Sequence, residues 1–219
     1  MFLAVVVAAA LSGGSGNAPA PPDGTYNYSI IQAGTQIGTS SLILKRLANE
    51  ITIHETQTLG DSSFIVDERV DASTLAPESY IATYSKGTGS QTARAGFDSK
   101  GATVSLDGVS GTQDFPLSGG VRNAYVVEMA LMTGYFLLPA QIRQSRSSQF
   151  MQVIPSEVES MVTRVTPQAL SPRPASTPAN DASISVASKV DLDEWYDPGS
   201  LVLDTVAVPI QNVVIKRTK

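Results

Sequence analysis

The chain contains no cysteine and a single histidine, His54. The missing cysteine excludes disulfides, thiolate metal sites, iron–sulfur clusters and a cysteine nucleophile together. It does not identify the compartment, because an exported protein can dispense with disulfides. Charged residues make up only 16% of the chain, the net charge is −5, and no long Lys/Arg run offsets the acidic balance. Phosphate neutralisation needs a concentrated basic surface, so nucleic acid is not an expected partner. No G-x-S-x-G elbow occurs, and no glycine-rich loop opens a helix where a phosphate would sit.

What remains for chemistry is sparse. His54 lies beside Glu55 on the polar parity of its strand, with Thr52 and Thr56, and reads as an exposed strand residue rather than the base of a triad. Gly60-Asp61-Ser62-Ser63 begins like an esterase motif but is explained by a turn. With one histidine and no cysteine, a metal would need carboxylates, the chemistry of calcium or magnesium. The one acidic cluster, Asp191, Asp193, Glu194 and Asp197, lacks regular oxygen spacing. Alternation places Leu192 inward and its acidic neighbours outward, as a solvated strand end. Asp67, Glu68 and Asp71 are candidates for paired-carboxylate chemistry by residue type alone. No metal, no cofactor and no catalytic residue is expected.

Alternation itself is abundant. Tyr26-Tyr28-Ile30, Ile51-Ile53, Phe64-Val66, Tyr80-Ala82-Tyr84 and Ile184-Val186 place apolar groups on one face at a period of two. That is the pattern of half-buried antiparallel strands. Turns recur roughly every 10 residues, as in sheets and barrels; Gly87-Thr88-Gly89 reads as one of them, a hairpin. Arg122 to Leu138 (RNAYVVEMALMTGYFLL) is apolar nearly all round and predicts a buried helix, ended or bent near Gly134 and Pro139. Thr166 to Asn180 carries four prolines, which remove ladder donors, and reads as a long loop within one domain. The fold class is therefore mainly β (α+β): a curved antiparallel sheet or half-barrel with one apolar helix packed against its concave face.

Residues 1–23 read as a signal-like segment and flexible tether, and 24–219 as a single domain with a proline-rich loop near 166–180. Phe2 to Leu11 is apolar and too short for an ordinary membrane-spanning helix, and Ser12 to Ser15 supply small residues for cleavage. No Lys or Arg precedes Lys45, so the usual positive flank is missing. The alternative for this stretch is a buried N-terminal strand or helix. Export to the periplasm or secretion is the expected localisation, with no transmembrane span in the mature chain.

The aromatic face suggests a use. In a strongly curved sheet, Tyr26, Tyr28, Phe64, Val66, Tyr80, Tyr84 and Phe97, with Met129 and Met132 from the helix, would line a cavity for a lipid or other apolar molecule. The same residues would equally form an ordinary filled core. The export signal, the meander, the apolar helix, Thr74 to Tyr84 (TLAPESYIATY) and the ending Trp195 to Arg217 with its Trp-Tyr-Asp-Pro-Gly turn resemble bacterial exported envelope proteins of unknown function with a lipoprotein-carrier-like half-barrel. The likeness runs from about Gly24 to Arg217 and rests on pattern. It implies a curved sheet and helical lid that enclose acyl chains. The expected function is a noncatalytic exported binding protein for an apolar ligand. The alternatives are a structural or protein-interaction module of the cell envelope, with another envelope protein as partner, and a hydrolase of unknown substrate.

Overall fold

The first hairpin sets the pattern for the whole chain. Strands β1 (Gly24–Gln32) and β2 (Thr35–Arg46) are joined by Ala33 and Gly34, both at positive φ (48° and 82°). A two-residue turn of this hand matches the right-handed twist of the strands it joins. The meander continues through β3 (Glu50–Leu59), β4 (Ser62–Asp71), β5 (Pro77–Lys86), β6 (Gly89–Asp98), β7 (Gly101–Leu106) and β8 (Gln113–Pro116), each antiparallel to its predecessor. The computed structural model describes residues 19–117, 121, 123–128 and 131–218. The signal-like stretch Phe2 to Leu11, its cleavage region, Arg122 and Met129 lie outside the described residues.

The second half runs through β9 (Ala124–Val126), β10 (Gln149–Ile154), β11 (Glu159–Thr166), β12 (Ala182–Ala187), β13 (Leu192–Tyr196), β14 (Leu203–Val208) and β15 (Val213–Thr218). β15 pairs with β1 from Asn27↔Thr218 to Gln32↔Val213, and this joins both halves into one sheet. The sheet is large, curved and unclosed, and the protein is mainly β. β9 and β10 form the one parallel pair among the described strands. The hairpins β10–β11 and β14–β15 share a corner: Pro155–Glu157 and Pro209–Gln211 each make a 3₁₀ turn, followed by Val158 or Asn212 in the left-handed region.

The segment expected as one helix over Arg122 to Leu138 is divided. Its start is β9, which takes ladder bonds from β10. Two short helices follow, α1 (Met132–Phe136) and α2 (Leu138–Ser145), broken at Leu137, with Pro139 in the first turn of α2. Gly134 does not end the helix. It lies inside α1, where a Cβ would stand 1.9 Å from the Val126 carbonyl oxygen, so its bare backbone permits α1 to rest on β9. An all-round apolar run carries no period that separates a buried strand from a buried helix.

Burial divides the interior in two. One apolar cluster gathers Tyr26, Tyr28, Ile30, Leu42, Leu44, Ile51, Ile53 and Val70 around α1, α2 and β12 to β15. The other gathers Val66, Tyr80, Ala82, Ala95, Ala102 and Val104 under Val121, Val126, Leu131, Met151 and Val153. The acidic cluster near residue 193 is not a solvated strand end. Asp193 and Glu194 are both buried, Glu194 on the concave side with Leu192 and Asp193 on the convex side beneath the proline-rich loop. A loop docked on the outer face is invisible to a period-two argument.

Candidate functional site

A polar seam runs between the two apolar clusters. On β3, Ile51 and Ile53 belong to the first cluster, and the next inward position is Glu55. On β4, Val66 belongs to the second cluster and Val70 to the first, with Glu68 between them. Glu68 stands opposite Tyr80 of β5, and Tyr84 follows four residues along that strand. Glu128, after β9, completes the line.

Two of these carboxyls hold short helices by their N-termini. Glu55 Oε1 accepts the Met132 N–H at 3.0 Å and the Ser40 hydroxyl at 2.6 Å. Its Oε2 accepts the Thr133 N–H at 2.8 Å and the Thr133 hydroxyl. Glu128 accepts the Ser156 N–H at 2.8 Å and the Ser156 hydroxyl, at the start of the 3₁₀ turn after β10. Exposed helix N–H groups attract a carboxylate. Burial raises the pKa of both acids, and these hydrogen bonds oppose the rise.

One carboxyl oxygen in the middle of the seam is unsatisfied. Glu68 Oε2 is buried and has no hydrogen-bond partner, while the buried Tyr84 hydroxyl lies within hydrogen-bonding reach of Glu128, Ser156 and Tyr80. Burial, reinforced by the neighbouring charge of Glu55, pushes the Glu68 carboxyl up to about 8. At neutral pH it is therefore a neutral acid and a potential donor. Burial also raises both tyrosines, so their hydroxyls stay protonated beside Glu128. A packed core rarely leaves an oxygen such as Glu68 Oε2 bare, since it costs about 1–3 kcal/mol.

The residues expected to line one cavity are distributed over both clusters. Tyr26, Tyr28 and Met132 pack in the first, Val66 and Tyr80 in the second, and Phe64, Tyr84 and Phe97 lie half-buried against the second. Phe64 and Tyr84 meet edge to face at 5.5 Å and line an open groove of about 370 Å³ with Ser62, Lys86 and Gln91. Residue type alone marks Glu68 in the sequence, and nothing in composition marks Glu55 or Glu128. The available signal was parity: Glu55 shares the face of Ile51, Ile53 and Gln57, and Glu68 that of Val66 and Val70.

His54 stands on the convex face, its Nδ1 2.8 Å from Asp67 Oδ1, in a groove of about 570 Å³ that also holds Ser79. Ser79 belongs to β5 and His54 to β3, two strands apart and so about 10 Å away. Hydroxyl and imidazole do not meet there as a nucleophile and base must. Among the described residues no group of three or more His, Asp or Glu side chains converges as a metal site would, and no helix is long and apolar enough to cross a membrane. Comparison with protein-family models, with curated proteins and with solved structures finds no match for the chain. The class defined here is structural: an open, mainly antiparallel β-sheet with a polar seam across its concave face.

Proposed function

We propose that the protein is a noncatalytic, exported binding protein that holds an apolar molecule with a neutral hydrogen-bonding end against its concave face. The observation that carries this reading is the bare Glu68 Oε2 in the middle of the seam, with the Tyr80 and Tyr84 hydroxyls near it, beside an otherwise apolar face. That surface is paved with small side chains, Ala82, Ala93, Ala95 and Ala102, on β5 to β7. The apolar body of the ligand lies over these alanines in place of covering side chains such as Leu131. Its polar end meets the neutral Glu68 carboxyl and the tyrosine hydroxyls. Glu55 and Glu128 flank this point, which disfavours a carboxylate or phosphate and favours a hydroxyl, ester or amide.

Native mass spectrometry and solvent extraction of freshly purified protein test the proposal. A co-purifying neutral amphiphile is expected, or binding of a monoacylglycerol probe that weakens roughly tenfold in Tyr80→Phe through loss of one hydrogen bond. Protein that is empty as isolated, and that takes up no monoacylglycerol or fatty alcohol, overturns it.

A second reading, an interaction module of the envelope, is favoured by one surface feature. Leu170 and Ile210 are 82% and 85% exposed and flank a groove of about 490 Å³ with Val190, Leu192 and Pro209. Exposed apolar ridges of this kind mark protein contacts.

A further inference from the structure

The proline-rich segment between β11 and β12 is bound along its length to the convex face. The Ala169 N–H donates to Ser183 Oγ at 3.1 Å. The Leu170 and Ser171 N–H groups donate to the two Asp193 oxygens at 3.0 and 2.8 Å, and the Ser171 hydroxyl joins them. Further on, Thr177 Oγ1 meets Thr205 Oγ1 at 3.1 Å. Ser183 and Thr205 are the two residues directly opposite Trp195 on the adjoining strands. Trp195 is 1% exposed, yet it belongs to neither interior cluster. The segment therefore lies over Trp195 and buries it from outside. Arg173 ties the strap to its own foot, donating to the carbonyls of Pro178 and Asp181.

We infer that residues 167–181 form a pH-responsive strap over Trp195, clasped at one end by the Asp193 carboxyl and set at its foot by the buried Asp181. Asp193 is the clasp at the near end. Burial works against its charge, but the hydrogen bonds from Ser171 and Leu170 outweigh burial and hold its carboxyl below the ordinary range. Ser185 faces it from β12, Glu194 adjoins it on the concave side, and Lys189 and Asp191 stand beside it in the groove. Asp181 is at the foot, with Oδ2 buried and unpartnered. Burial, then the charge of Asp204, hold its carboxyl up at about 6. Asp204 of β14 is itself paired with Arg217 of β15 at 2.6 Å, and Arg173 and Asp197 complete the charges around it.

The signs oppose one another. Asp193 supports docking when ionised, and that support is lost as pH falls below about 4. Asp181 has a raised pKa, so its contribution is greatest when protonated and is lost as pH rises through 6. The strap is held most firmly between the two. Ser176, at φ 77°, adds backbone strain that the docked strap must carry.

Trp195 is the only tryptophan, so fluorescence of the full chain reads the strap directly. Acrylamide quenching is expected to be lowest near pH 5 and to rise several-fold by pH 7.5, with the far-UV circular dichroism unchanged. Asp181→Asn should keep quenching low through that range, while Asp193→Asn should raise it at every pH. Flat quenching from pH 5 to 7.5, an alkaline rise untouched by Asp181→Asn, or a rise that follows loss of the circular dichroism signal would each overturn the inference. Asp181→Asn removes only a charge at the foot, so it keeps the test decisive even where Asp193→Asn does not fold.

Discussion

The Glu55 carboxylate accepts the Thr133 N–H at 2.8 Å, bridging residues 78 positions apart in the chain. Helix α1 has no side-chain cap of its own at Leu131, so β3 supplies the cap from across the interior. Glu55→Ala would leave the N–H groups of Met132 and Thr133 and two hydroxyls without their acceptor. A loss of about 3–5 kcal/mol is expected in urea denaturation. A loss under about 1 kcal/mol would show that the cap is dispensable.

Glu68 gives the stability a pH dependence. Its folded pKa lies near 8, above the ordinary 4.5, so the protonated form belongs to the folded state. Its contribution is complete below about 4.5 and is lost as pH climbs through 8, by as much as ~4 kcal/mol between pH 5 and pH 9. Glu68→Gln, neutral at every pH, should flatten this decline in denaturation midpoints measured across that range. An unchanged slope in the variant would sink the assignment.

Gly134→Ala tests how closely α1 rests on β9. The added methyl would meet the Val126 carbonyl at 1.9 Å, and backbone on both sides must move to admit it. Destabilisation of about 3 kcal/mol is expected by thermal or urea unfolding, despite the better helix propensity of alanine. A stabilised variant would mean that the two elements sit farther apart.

His54→Ala should be nearly silent. The His54–Asp67 pair is solvent-exposed on both sides, 42% and 65%. Such pairs contribute under about 1 kcal/mol. A fall in midpoint worth more than twice that would assign His54 a structural part that its exposure does not suggest. An esterase activity abolished by the substitution would revive the hydrolase reading.

Much of the sheet is legible because alternation and turns are local. Tyr26-Tyr28-Ile30 and Ile51-Ile53 fix which face is inward, and Ala33-Gly34 and Gly87 mark reversals through their positive φ. The seam is harder to see, because charge at an inward position looks like noise until parity is followed residue by residue. Glu55 beside His54 is the instructive case: the conspicuous histidine is outside, and its inconspicuous neighbour is fully buried. Glu194 and Trp195 escape alternation for another reason. β13 is covered on both faces, so hydrophobic and charged residues run together along it. Nothing local in residues 167–181 predicts that they lie on Trp195, since the contacts span 14 to 28 positions.

The placement of β15 also bears on how the molecule is made. Strands β1 to β8 each pair with the one just synthesised, so that half of the sheet can assemble as the chain emerges. The join between halves, residues 27–32 against 213–218, cannot close until the last strand is available. Folding should thus show a slow final step with high contact order. Until then Tyr28 and Ile30 remain uncovered, and the half-made sheet is prone to aggregate.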